Sequence, residues 1–156
     1  MPVFFFDSSG LVKRYRREQG TEWVRSRTAP DAGNELYVAL IAGAEVVAAL
    51  MRQQRMGELS VDAFERARSA FRHHYYHQYH VVAITEAVVE DAMELAEQHP
   101  LRGYDAVQLA AATHIRRVRT AVGLPAPIFV SADTSLNDCA VQEGFTVEDP
   151  NEHENG

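Results

Sequence analysis

Near its start the chain reads Val3-Phe4-Phe5-Phe6 and then Asp7, four large apolar residues without polar alternation ending on a carboxylate. A strand written this way has no solvent face, so it belongs inside a sheet covered on both sides. It also places a charged group where a buried strand leaves the sheet.

Further strands are read at Leu36–Leu40, Val81–Ile84, Ile128–Val130 and Phe145–Val147. Helical spacing fills the intervals. Ser8-Ser9-Gly10 opens a first helix, and a short one surrounds Trp23 and Val24. A longer one runs from Ile41 to Met56, where Gly57 stops it. Ser60 and Thr85 carry N-cap chemistry for two more. The segments from Asp105 to Thr120 and from Thr134 to Glu143 complete the set. Buried strands alternating with helices specify an α/β fold, a doubly wound parallel sheet flanked by helices. The expectation is one domain over residues 1–149, followed by an acidic polar tail over 150–156 that frays.

Composition narrows the class. The 156 residues are 46% apolar and 24% charged, too apolar for disorder. A net charge of −7 argues against coating nucleic acid by bulk charge. All 15 basic residues lie in positions 1–119, leaving room for a local basic face. Cys139 is the single cysteine, so neither an intramolecular disulfide nor a cysteine-based zinc site is available. The opening has no basic leader, and the apolar stretch Leu36–Met51 is broken by Glu45, short of the ~20 residues a bilayer needs. A cytoplasmic protein without membrane contact is expected.

A sheet of this kind binds ligands beyond the carboxyl ends of its strands, where strand order reverses. Asp7 and Asp133 each follow a strand, and Asp105 opens a helix. Each also reads as a helix cap, since Asp is a preferred N-cap. Glu45 is harder to explain that way, because its helix neighbours Ile41, Ala42, Ala48 and Ala49 are all apolar. A buried carboxylate without compensation costs several kcal/mol, on the order of a large pKa shift. A divalent cation shared by several such acids is the economical partner, and oxygen-only ligands suit Mg²⁺ or Mn²⁺. Phosphoryl transfer is the chemistry that most needs such a site.

Four segments then resemble the PIN-domain ribonucleases, and within them the VapC-type toxins of toxin–antitoxin pairs. They are Phe4-Phe5-Phe6-Asp7-Ser8-Ser9-Gly10-Leu11-Val12-Lys13, Ala42-Gly43-Ala44-Glu45-Val46, Gly103-Tyr104-Asp105-Ala106-Val107-Gln108-Leu109-Ala110-Ala111-Ala112, and Phe129-Val130-Ser131-Ala132-Asp133. The resemblance implies a PIN-like three-layer sandwich and an endoribonuclease with a four-carboxylate Mg²⁺/Mn²⁺ site. Asp7, Glu45, Asp105 and Asp133 would be its acids, and Ser8, Ser9 and Ser131 supporting hydroxyls. It also implies an RNA substrate cut to a 5′-phosphate and a 3′-hydroxyl, a cognate antitoxin and a homodimer. Ser9 departs from the Asn that the family often carries two residues after its first acid.

Arg14, Arg17 and Arg102 are candidates for phosphate contacts, against the ordinary reading of solvated helix faces. His73, His77 and His80 share a helical spacing that suits a transition metal, but a helix end with a mixed aromatic surface is the simpler reading. Stacking on RNA bases is a third use for that segment. A catalytically inactive binding or regulatory module, contacted by a peptide or helix in an apolar groove, is the alternative function. A phosphorelay receiver would need a late lysine, and no lysine follows Lys13. A haloacid-dehalogenase-like phosphatase would need a second Asp where Ser9 stands.

Overall fold

A computed structural model describes residues 2–155. The strands β1 (Val3–Phe6), β2 (Glu35–Ala39), β3 (His80–Val82), β4 (Ile128–Val130) and β5 (Val147–Glu148) form one sheet in the order β3-β2-β1-β4-β5. Every neighbouring pair is parallel. All four β1 residues are buried, as a central strand requires. From β1 the chain winds outward to β2 and β3, then returns to lay β4 and β5 on the other side. The carboxyl ends of β1 and β4 therefore flank the switch point.

Strand alternation divides the core between the two faces. Phe5, Ala39, Val82 and Phe129 point to one face, under α5 (Glu86–Gln98), α6 (Gly103–Ala121) and α7 (Thr134–Gln142). Phe4, Phe6, Leu36, Val38 and Val130 point to the other. That face is covered by α1 (Ser8–Leu11), α2 (Thr21–Thr28), α3 (Ala42–Arg55) and α4 (Val61–His77). Phe5 and Phe129 are register partners whose rings stack 5.8 Å apart. The helix starts use the chemistry legible in the sequence: Ser60 accepts from Ala63 N–H and Thr85 from Val88 N–H. Such caps contribute about 1 kcal/mol each.

Two expectations shift. The last strand was placed at Phe145–Val147, but Phe145 N–H is taken by Ala140 O at the end of α7. Its ring packs on Phe129 instead, and the strand begins at Val147. Nor are residues 150–155 a free tail. Pro150–Glu152 form a 3₁₀ turn, and the His153 ring stacks on Trp23 at 4.6 Å. Asn155 accepts from Glu22 N–H and donates to Glu18 O. Gly20, at φ +86°, makes this possible, since a Cβ there would lie 2.2 Å from Pro150 O.

Among the described residues no helix is long and apolar enough to cross a membrane.

Candidate active site

Asp7 is the first residue past β1, and its N–H is held by Val130 O of the adjacent strand at 3.0 Å. Its side chain caps α1: Oδ1 accepts from Gly10 N–H at 2.9 Å, and Ser9 Oγ lies 2.7 and 2.9 Å from the two carboxylate oxygens. Gly10 permits the close approach of α1 to β4, because a Cβ there would sit 3.0 Å from Val130 O. Ser9 Oγ also accepts from Ala132 N–H at 3.0 Å and neighbours Ser131 Oγ at 3.4 Å. Burial pushes the Asp7 carboxyl up to about 7, against these hydrogen bonds and with a contribution from the Asp105 charge.

Asp133 caps α7, its Oδ1 accepting from Leu136 N–H at 3.1 Å. Ser131 Oγ accepts from Asp133 N–H, and Asn137 Nδ2 donates to Ser131 O, so the turn after β4 is fixed by its own side chains. For Asp7 and Asp133 the capping reading therefore holds alongside any other role.

Asp105 departs from the capping reading. Arg102 occupies the N-cap position of α6, and Asp105 lies in its first turn. Desolvation first, then the charges of Asp133 and Glu45, push its carboxyl up to about 6, while Arg102 opposes the shift. No hydrogen bond from a described residue contributes to its state. It is thus a carboxylate in the field of two others, Asp133 and Glu45, with no protein donor of its own.

Glu45, half-buried in the first turn of α3, has the compensation its apolar neighbours could not supply. Ser8 Oγ donates to its Oε1 at 2.9 Å and Gln108 Nε2 to the same oxygen at 2.8 Å. Gln108 escaped the sequence reading. The available signal was its place as the sole polar residue in Ala106–Ala112, three positions after Asp105 on the same helical face.

The four acids thus face one end of the sheet, where Asp133 and Glu45 act on Asp105 and Asp105 acts on Asp7. They do not close into a finished ligand set: among the described residues no group of three or more Asp, Glu, His or Cys side chains is assembled to hold an ion. The donor chemistry nevertheless fits a hard cation. Glu45 Oε2, Asp133 Oδ2 and both Asp105 oxygens have no hydrogen-bond donor among the described residues, and all are oxygens.

The arginines separate. Arg102 is exposed beside Asp105 and Asp133 and donates to Tyr104 Oη at 2.8 Å. Arg14 instead turns into the fold, donating to Gln78 Oε1 at 2.7 Å and Tyr79 Oη at 2.8 Å. Arg17 is paired with Glu22. The histidine segment does not keep its shared face: α4 ends at His77, and His80 starts β3 with its ring on Tyr37.

A five-stranded, doubly wound parallel sheet with carboxylates at its switch point defines an α/β domain of the PIN kind. The chain belongs to the VapC ribonuclease family. It is 30% identical over 147 residues to Ribonuclease VapC45 and to Ribonuclease VapC49 of Mycobacterium tuberculosis, spanning 94% of this chain and 95% of each relative. No protein-family model matches it. Solved structures share the fold at low identity. A toxin–antitoxin complex from Klebsiella pneumoniae matches with TM-score 0.60 and 16% identity, over 97% of this chain and 99% of that one. PAE2754 from Pyrobaculum aerophilum matches with TM-score 0.58 and 18% identity, over 94% and 83%. FitAcB from Neisseria gonorrhoeae matches with TM-score 0.57 and 13% identity, over 95% and 97%.

Proposed function

We propose that the chain is a metal-dependent endoribonuclease, the toxin of a toxin–antitoxin pair acting in the cytoplasm. The observation that carries this reading is Asp105: a half-buried carboxylate without a donor, in the field of Asp133 and Glu45, whose own charge acts on buried Asp7. Such an arrangement destabilises the metal-free fold, and structural roles do not require it. The names of the relatives, ribonucleases at 30% identity, point the same way.

Asp105, with Glu45 Oε2 and Asp133 Oδ2, would hold Mg²⁺ or Mn²⁺, and Asp7 would complete the set. When bound, the ion supplies Lewis acidity toward water and offsets charge on the phosphate oxygens. The residues of the chain do the rest. An unpartnered carboxylate oxygen of the cluster accepts the proton of the attacking water. Arg102, exposed at the rim, meets the phosphate as a planar fork. Water adds to phosphorus as the 3′-oxygen departs and takes up a proton, leaving a 5′-phosphate. Ser8, Ser9 and Ser131 keep the acids in place.

A cognate antitoxin is part of the same proposal, supported by a fold neighbour described as a toxin–antitoxin complex, and a homodimer is the proposed assembly. The test is cleavage of a defined RNA panel with Mg²⁺, Mn²⁺ or EDTA. Cleavage with either metal and none with EDTA is expected. RNA left intact under every condition would favour a PIN-like binding module without catalysis.

A further inference from the structure

Gln108 is 1% exposed inside an otherwise apolar stretch of α6. Its Nε2 lies 2.8 Å from Glu45 Oε1 and 3.1 Å from Ser8 Oγ, and Ser8 Oγ donates to that same Oε1 at 2.9 Å. Two donors from separate elements therefore converge on one oxygen of Glu45 and leave Oε2 without a partner among the described residues. Gln108 Oε1, meanwhile, is buried with no hydrogen-bond partner. An unmatched buried oxygen weakens a fold, and an apolar side chain of the same length would avoid the loss. Packing thus gives no reason for an amide here.

The charge balance gives one. A lysine or arginine at this position would form an ion pair with Glu45 and cancel its charge, whereas an amide N–H fixes the carboxylate and leaves the charge available. We propose that Gln108 is a positioning residue: it pins Glu45 Oε1 so that Oε2 is the oxygen left for a divalent cation. This rests on the nuclease reading and adds a residue to it. The orphaned Oε1 is the cost of using a neutral donor in an apolar helix.

Gln108→Met keeps length and removes both polar atoms. Three readouts follow: melting temperature of the metal-free protein, Kd for Mn²⁺ by calorimetric titration, and kcat and KM on a cleavable RNA. The melting temperature should change little, because losing the donor to Glu45 offsets the relief of the orphaned Oε1. Mn²⁺ binding should be about tenfold weaker and kcat about tenfold lower, with KM little changed. In a Glu45→Gln background, adding Gln108→Met should leave Mn²⁺ affinity where Glu45→Gln alone puts it. Gln108→Asn, one methylene too short to reach Glu45, should weaken Mn²⁺ like the Met variant.

Unchanged Mn²⁺ affinity in either single variant overturns the proposal, and so does a Gln108→Met protein that fails to fold together with a Gln108→Asn protein that folds and binds Mn²⁺ as wild type does. That pair of outcomes would make Gln108 a structural residue. If the wild-type protein itself binds no Mn²⁺ and cuts no RNA, the nuclease reading fails first. Wild-type binding and cleavage matched by the Met variant would remove only the role of Gln108.

Discussion

Ser9 Oγ lies 2.7 and 2.9 Å from the two oxygens of Asp7, so one hydroxyl serves the whole carboxylate of a residue buried at the end of β1. The same oxygen accepts from Ala132 N–H, tying the carboxyl ends of β1 and β4 together. The Asn often found here in the family is thus replaced by a side chain that serves Asp7 and the β4 turn at once. Ser9 is one of the groups that hold the Asp7 pKa down against burial. Ser9→Ala should therefore raise the Asp7 pKa further above about 7, as read by carboxyl NMR of the metal-free protein. Stability should fall by about 1–3 kcal/mol, because Ala132 N–H loses its partner. An unmoved Asp7 pKa would show that Ser9 does not tune it.

Burial makes Asp7 a source of pH-dependent stability in the metal-free protein. Its folded pKa of about 7 lies above the ordinary 3.8, so the folded state holds the proton more tightly than the unfolded one. The stability this contributes is fully present below the unfolded value and is lost as pH rises through about 7. Asp105, raised to about 6, acts in the same direction. Between pH 5 and 8 the metal-free protein should lose more stability than Asp7→Asn does in urea titrations. Parallel losses in both would contradict the assignment.

Arg102 and Arg14 should behave oppositely although both were phosphate candidates. Arg102→Ala removes an exposed charge and should weaken RNA binding, lowering the salt slope of log K by about 1, with little change in melting temperature. Arg14→Ala removes the donor to Gln78 and Tyr79 and should cost about 1–3 kcal/mol of stability. Filter binding across a salt series and thermal melts separate the two.

Gly20 holds the C-terminal segment in place. Gly20→Ala forces a left-handed alanine, costing about 1–2 kcal/mol before its Cβ meets Pro150 O. Faster proteolytic trimming behind Phe145 should accompany the loss, detected by mass spectrometry. Trimming at the wild-type rate would show that residues 150–155 do not depend on this glycine.

Where the sequence spoke plainly, the signal was local. The unalternated β1 run demands a covered central strand, and Asp133 and Thr85 mark helix starts because a short polar side chain caps the turn that follows it. The same locality explains Asp7 and Asp133, which follow strands β1 and β4, and Glu45 and Asp105, which fall in the first turns of α3 and α6. The role of Gln108 was not legible because glutamine is an ordinary helix former and its partner Glu45 lies 63 residues away. The docking of His153 and Asn155 depends on Trp23 and on backbone groups near Glu18, which no short-range pattern encodes. Arg14 looked like a surface cation because the aromatic shelf it packs against is built only when α4 arrives. The strand at Val147 moved because Phe145 closes a helix rather than joining the sheet.

We propose that Asp105, left without a protein donor, shares a divalent cation with its neighbouring acids. The decisive experiment is Mn²⁺ titration by calorimetry of wild type and Asp105→Asn, with RNA cleavage measured on the same samples. Wild type should bind Mn²⁺ and cleave, whereas Asp105→Asn should melt at the same or a higher temperature with binding and cleavage lost. An Asp105→Asn protein that binds Mn²⁺ and cuts RNA as wild type does would show that Asp105 holds no catalytic cation.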